Sequence, residues 1–331
     1  MTSAQHVDGI LVQWGERLFY PSNRIVKTAP TPRLDALTRR KAAVIRKRIE
    51  AVVRRVPQVM VKVTGGGRGM AAIAAHFRYI SKNGRLNIED DREVVRTGKE
   101  ALHALADQWR FGGSLIPEEG HRREAFNIML SMPAGTDARL LQKAAREFAK
   151  VELAGHRYVM VLHEHQANPH VHLSVRAEGA SGKRLNPRKT DLHRWRETFA
   201  EKLRGWGIEA EATRQASRGE SRNFEPLWRV KAKQDGRLNV THAATKTGPQ
   251  AQSSRAEAMV SWAHILKALA ASEVAEDRLL AKQLRSFVHG GPFVQERVRH
   301  QRSDLQRGIE TPLRRAVPEM QPGRSDVDRS R

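Results

Sequence analysis

The ten residues His163-Glu-His-Gln-Ala-Asn-Pro-His170-Val-His172 set three or four imidazoles where two apolar runs meet. Side chains at i and i+2 of a strand point to one face, so His170 and His172 can chelate one ion while Val171, Leu173 and Val175 alternate around them. His163 ends the preceding run, and a tight turn through Pro169 brings it alongside. Three neutral nitrogens that leave coordination positions open are the arrangement of a catalytic metal site. A lone histidine is most simply a surface or satisfied core residue, but three converging ones favour an ion. His-x-His pairs also occur in hydrolases and oxygen-handling barrels, so the reaction has to be read elsewhere.

The chain has three tyrosines. Tyr158 opens an apolar run and Tyr20 lies in an unpatterned stretch. Tyr79 instead follows the glycine cluster Gly65-Gly-Gly-Arg-Gly69 and sits among His76, Arg78, Lys82 and Arg85. In a cysteine-free chain with a polyanionic partner, a phenolate can attack a phosphodiester and keep its energy as a phosphotyrosine. A free phenol, with its pKa near ~10, needs cations or a metal to stabilise the attacking and developing charges. A divalent ion, magnesium or manganese, would polarise the phosphate oxygens, although an all-imidazole site holds later first-row metals more tightly.

Composition names the partner. A formal charge of +23 over 331 residues exceeds what solubility needs and favours nucleic acid. Cysteine is absent, which excludes disulfides, thiolate nucleophiles and Cys-ligated zinc and points to a cytoplasmic setting. No apolar run is long enough to span a bilayer and no secretory signal opens the chain, so membrane insertion is not expected.

The elements that must position these residues follow from local pattern. Residues 1–20 have no clear periodicity, and 34–56 reads as a basic helix ended by Pro57. Strands are expected at 59–63, 126–132, 158–163 and 171–177, and helices at 71–82, 93–111, 137–153 and 190–206. That order describes an α+β fold, a largely antiparallel central sheet backed by helices, followed by a basic helical C-terminal region. The expected division is a basic N-terminal arm (1–56), a catalytic domain (57–222), a polar linker (223–254) and a helical, partly disordered region (255–331), with a helical stretch at about 255–289.

Together, Gly65 to Gly69, His76-Phe-Arg-Tyr79-Ile-Ser-Lys-Asn-Gly84, Ser131-Met-Pro-Ala-Gly-Thr-Asp137 and the histidine segment resemble, in order, the motifs of the relaxases or mobilisation nucleases of the HUH endonuclease superfamily. The resemblance covers roughly 57–220. It implies that Tyr79 cuts one strand at an origin of transfer and stays on the 5′ end, that His163, His170 and His172 bind the divalent ion, and that Ser131 contacts DNA. Many relatives carry an acid two residues after the first histidine, where this chain has His165, so Glu164, His165 or a distant acid is left to orient the ligands or take the phenol proton. The resemblance also implies phosphate contacts from Arg68, Arg78, Lys82, Lys183, Arg184, Arg188 and Lys189. The partners it implies are single-stranded and supercoiled DNA at the origin, an accessory DNA-binding protein and a type IV secretion coupling protein. A rolling-circle replication initiator shares this chemistry but usually places its histidines before its tyrosine. A non-catalytic basic nucleic-acid-binding module is the alternative from another class.

Overall fold

The computed structural model describes residues 4–20, 36–164, 168–220, 232–233, 235–238, 246 and 248–290. His165 and residues 291–331 therefore lie outside the described residues. The described chain clusters into two units: Phe19, Tyr20 and Arg46–Arg214 form one, and the residues before and after them form the other.

The 46–214 unit is built on a six-stranded antiparallel sheet in the order β1-β4-β6-β5-β2-β3. The strands are β1 (Met60–Gly65), β2 (Ile88–Asp90), β3 (Val95–Arg96), β4 (Ala125–Ser131), β5 (Tyr158–His163) and β6 (His170–Arg176). Helices α3 (Met70–Ile80), α4 (Lys99–Phe111), α5 (Ala138–Glu152) and α6 (Lys189–Gly205) back the sheet, and the expected α+β class holds.

Alternation splits the sheet into two faces. Ile128, Leu130, Met160, Val171 and Leu173 face α5 and α6, with Phe148, Trp195 and Phe199 between. On the other face Ala125, Val159 and Val161 pack with Ile73 and Phe77 of α3 and Leu105 and Trp109 of α4. α5 begins where Asp137 accepts the Leu140 N–H, an N-cap that its sequence position already suggests.

Residues 93–111 do not form one helix. Their first residues instead complete a small hairpin of β2 and β3, and α4 starts only at Lys99. Asp90 makes the turn, accepting the backbone N–H groups of Arg92 and Val94 and pairing with Arg96, while Glu93 takes a left-handed φ of 64°. Two short strands with one capping aspartate leave no periodicity to read.

The other unit also departs from expectation. The N-terminal stretch forms a helix, α1 (Ala4–Phe19), and the basic helix is α2 (Ala36–Val53). A Cβ on Gly15 would stand 2.6 Å from Ile45 Cγ2, so glycine permits the close approach of α1 to α2. The helical stretch expected at 255–289 consists of two helices, α7 (Pro249–Ala270) and α8 (Ala275–Gly290). Ser272 breaks it, donating to Asp277 and accepting the Val274 N–H. Trp14 stacks on His264 at 3.9 Å, and Trp262 donates its indole N–H to Ser217 O. No described helix is long and apolar enough to cross a membrane.

Candidate metal and nucleophile site

The register of the two central strands makes the histidine cluster. His163 pairs with His170 across β5 and β6, while Val161 and Met129 flank His172. All three imidazoles therefore project from the α3 face of the sheet, with ring centroids 4.6 to 5.0 Å apart. One nitrogen from each lies within 4.8 Å of the others, a spacing that fits a single ion.

Two of the rings are held by the backbone through their other nitrogen. His163 Nε2–H donates to Ile80 O at 2.6 Å and His170 Nδ1–H to Asn168 O at 3.0 Å. Each contact sets the tautomer and leaves the opposite nitrogen with its lone pair, as a ligand needs. His172 Nδ1 is buried without a hydrogen-bond partner. Burial, reinforced by His163, His170 and His76, pushes His172 down to about 3, so its ring is neutral and ready to ligate. Donors, tautomers and neutrality all fit a divalent ion.

The contact from His163 to Ile80 also fixes the tyrosine. It ties the triad to the last turn of α3, where Tyr79 is 69% exposed with its ring 6.5 Å from that of His172. Ser81 ends the helix by donating to Phe77 O and accepting the Gly84 N–H. Gly84 has a φ of 82°, and an added Cβ would stand 2.6 Å from the Gly98 carbonyl carbon, so only glycine serves this corner.

One member of the group was mentioned in the sequence only as a neighbour. His76 lies 6.3 Å from Tyr79 and 6.4 Å from His172 by ring centroid, and its Nε2 is buried without a partner. Desolvation holds it down at about 4, hence neutral. Its signal was the helical spacing of three from Tyr79, which puts both on one face. Lys62 is a second residue the sequence did not single out. It pairs with Met129, which pairs with His172, so the exposed Lys62 shares the triad's face two strands away.

Other expected site residues are spread more widely. Ser131 is buried, and its hydroxyl donates to Pro169 O, clasping β4 to the turn before His170. Arg78 and Lys82 are exposed beside Tyr79, and Glu164 is exposed directly after His163. Arg68 precedes α3 at its far end. Lys183, Arg188 and Lys189 are exposed around the start of α6, whereas Arg184 is engaged by Glu124 and Glu178.

An antiparallel sheet with an imidazole triad on its two central strands, faced by an exposed tyrosine on a helix, defines an α+β scaffold with a group of three histidines that could hold a metal ion. Residues 79–208, under half of the chain, match the family model for "Relaxase: MobA/VirD2-like, nuclease domain", which bears out the resemblance carried by the motifs. The chain is 26% identical over 183 residues to a T-DNA border endonuclease VirD2 of Agrobacterium fabrum, covering 49% of this chain and 41% of that protein. It is 25% identical over 134 residues to the protein of that name from Rhizobium rhizogenes, covering 36% and 30%. The chain thus spans less than half the length of the curated relatives it matches. A solved structure, "Molecular Basis of Vancomycin Resistance Transfer in Staphylococcus aureus", aligns over 48% of this chain and 99% of its own, with 15% identity and a TM-score of 0.30.

Proposed function

We propose that the protein is a relaxase that nicks and religates one DNA strand at an origin of transfer, with Tyr79 as nucleophile and His163, His170 and His172 as ligands of a magnesium or manganese ion. The observation that carries this reading is an exposed phenol beside three imidazoles whose tautomers leave a nitrogen for a metal. The ion would act as a Lewis acid on the non-bridging oxygens of the scissile phosphate.

The chain's own groups do the rest. Tyr79 Oη bonds to phosphorus as the P–O3′ bond breaks, and the phenol proton passes to a base and from there to the departing O3′, giving a 5′-phosphotyrosyl strand and a 3′-hydroxyl. Glu164 and His165 remain the proposed groups for orienting the site or accepting that proton. Attack by the 3′-hydroxyl on the phosphotyrosine reverses the step and religates the strand. Arg78, Lys82 and Lys62 supply positive charge around the scissile link, and Lys183, Arg188 and Lys189 hold flanking phosphates. Catalysis is assigned to the expected 57–222 domain, with 1–56 as an added arm, 223–254 as linker and 255–331 as a region for accessory or secretion-coupling proteins.

The test is a denaturing gel of single-stranded and supercoiled origin DNA with Mg²⁺ or Mn²⁺. Wild type is expected to give a covalent 5′ adduct that Tyr79→Phe and His170→Ala abolish. Tyr79→Phe should keep its DNA affinity within about threefold, since only the reacting oxygen is lost. Salt-sensitive binding with no adduct on any candidate origin would replace the relaxase reading with that of a binding module.

A further inference from the structure

Away from the triad, a cavity of about 380 Å³ opens where the glycine cluster meets the loop before β4. Arg68, His121 and Arg123 bring positive or titratable groups to it, Phe126 and Leu192 give apolar wall, and Asn186 adds an amide. No carboxylate lines it.

The charge there is selectively uncompensated. Glu118, Glu124 and Glu178, all nearby in sequence or structure, are taken by Arg110, Arg122 and Arg184. Arg68 and Arg123 make no ion pair among the described residues, and Arg123 instead lies over the Phe126 ring at 5.2 Å. Like charges gathered without a counter-ion repel, and an anion from solution relieves that cost.

The support is rigid. Gly67 N donates to Ala125 O, Met70 N to Pro117 O and Ala71 N to Glu118 O, which locks the two cation-bearing loops together. A Cβ on Gly66 would stand 2.2 Å from Ala125 O and 2.9 Å from Arg123 Cδ, so glycine lets the loop lie flat against that arginine. The glycine cluster thus builds a cationic pocket as well as leading into α3.

We propose that this pocket binds a nucleotide, its phosphate between Arg68 and Arg123 and its sugar or base against Phe126, Leu192 and Asn186. A phosphate, an apolar body and a hydrogen-bonding edge are what a nucleotide presents, and the cavity is of mononucleotide size. The inference rests on the relaxase reading for its natural source, a link of the DNA strand held apart from the cut. α3 runs from the loop that carries Arg68 to the turn that carries Tyr79, and its 11 residues rise about 16 Å, so the nucleotide held in the pocket is not the one at the cut.

The experiment uses the full chain and a labelled single-stranded oligothymidylate, with affinity read by fluorescence anisotropy across a salt series. Arg68→Gln and Arg123→Gln should each weaken binding about three- to tenfold at low salt and make the log–log salt slope shallower by about 0.7. Arg110→Gln, which removes an ion-paired arginine, should leave the slope unchanged. Thymidine 5′-monophosphate is titrated in parallel by calorimetry. If it binds wild type but not the double variant while the oligonucleotide slope is unmoved, the site takes free nucleotides and the strand assignment falls. Unchanged affinity and slope in both variants, with no mononucleotide binding, overturn the pocket altogether. The adduct assay on the same wild-type protein separates the two readings: a missing adduct with intact arginine effects sinks the relaxase reading alone, and an adduct with no arginine effects sinks this one alone.

Discussion

His76 carries a buried, unpartnered nitrogen beside Tyr79, the proposed nucleophile. Leaving such a group unsatisfied costs roughly 1–3 kcal/mol, which an apolar residue of similar size would recover. Replacing it with leucine is therefore expected to hold or raise the urea midpoint. Adduct formation should fall at least about tenfold, because stability surrendered at a site is commonly the cost of function there. Equal adduct rates in His76→Leu and wild type would make His76 a packing residue. Arg48 shows the opposite case, a cation whose role is structural. It lies in the basic helix α2, yet it is 7% exposed and paired with Glu197 and Glu211; burial opposes its charge, but the hydrogen bond to Glu197 and the two carboxylates outweigh that and raise its affinity for the proton.

Elements place these side chains through their ends. α3 begins at a glycine cluster packed on the loop before β4 and ends at the carbonyl that accepts from His163, so both of its termini are anchored. Gly66→Ala tests the first anchor. Its methyl would meet Ala125 O at 2.2 Å, and the backbone has to move to admit it at about 1–3 kcal/mol. We expect a matching drop in unfolding free energy and a weaker oligothymidylate interaction. Unchanged stability would mean the loop is free to shift. The small β2–β3 hairpin has its own lock, in which Glu89 receives Arg146 of α5 and Glu93 receives Lys150. None of that was legible locally, since partners 57 residues apart leave no sequence spacing to recognise.

Over the whole molecule, the 59 lysines and arginines overstate the cations available to a polyanion, because many arginines are committed to carboxylates within the fold, pairs that the net charge of +23 already cancels. Global stability should also respond to alkali through one buried phenol. Burial, with Asp91, Glu89 and Glu93 nearby, pushes Tyr158 up to about 12. The folded state holds this proton more tightly than the unfolded chain does. The contribution is therefore complete below about pH 10 and lost as pH rises through about 12. Urea unfolding across that range should show wild type losing more stability than Tyr158→Phe; parallel curves would rule this phenol out as the source.

The candidate site was legible in the sequence because its pattern depends on short spacings. His170 and His172 share a strand face by parity, Asn83-Gly84 stops a helix, and the motif order singled out Tyr79 among three tyrosines. The sheet strands at 126–132, 158–163 and 171–177 were legible for the same reason, since alternation and β-branching are local. What only tertiary structure decided is what distant segments bring together. It seats the His163 ring on Ile80 O, places Lys62 two strands from His172, separates Arg184 with its acids from Arg68 and Arg123 without them, and folds residues 4–19 into a helix. Periodicity records which face of an element is apolar, but long-range contacts settle which charges are neutralised and which stay free to meet a substrate.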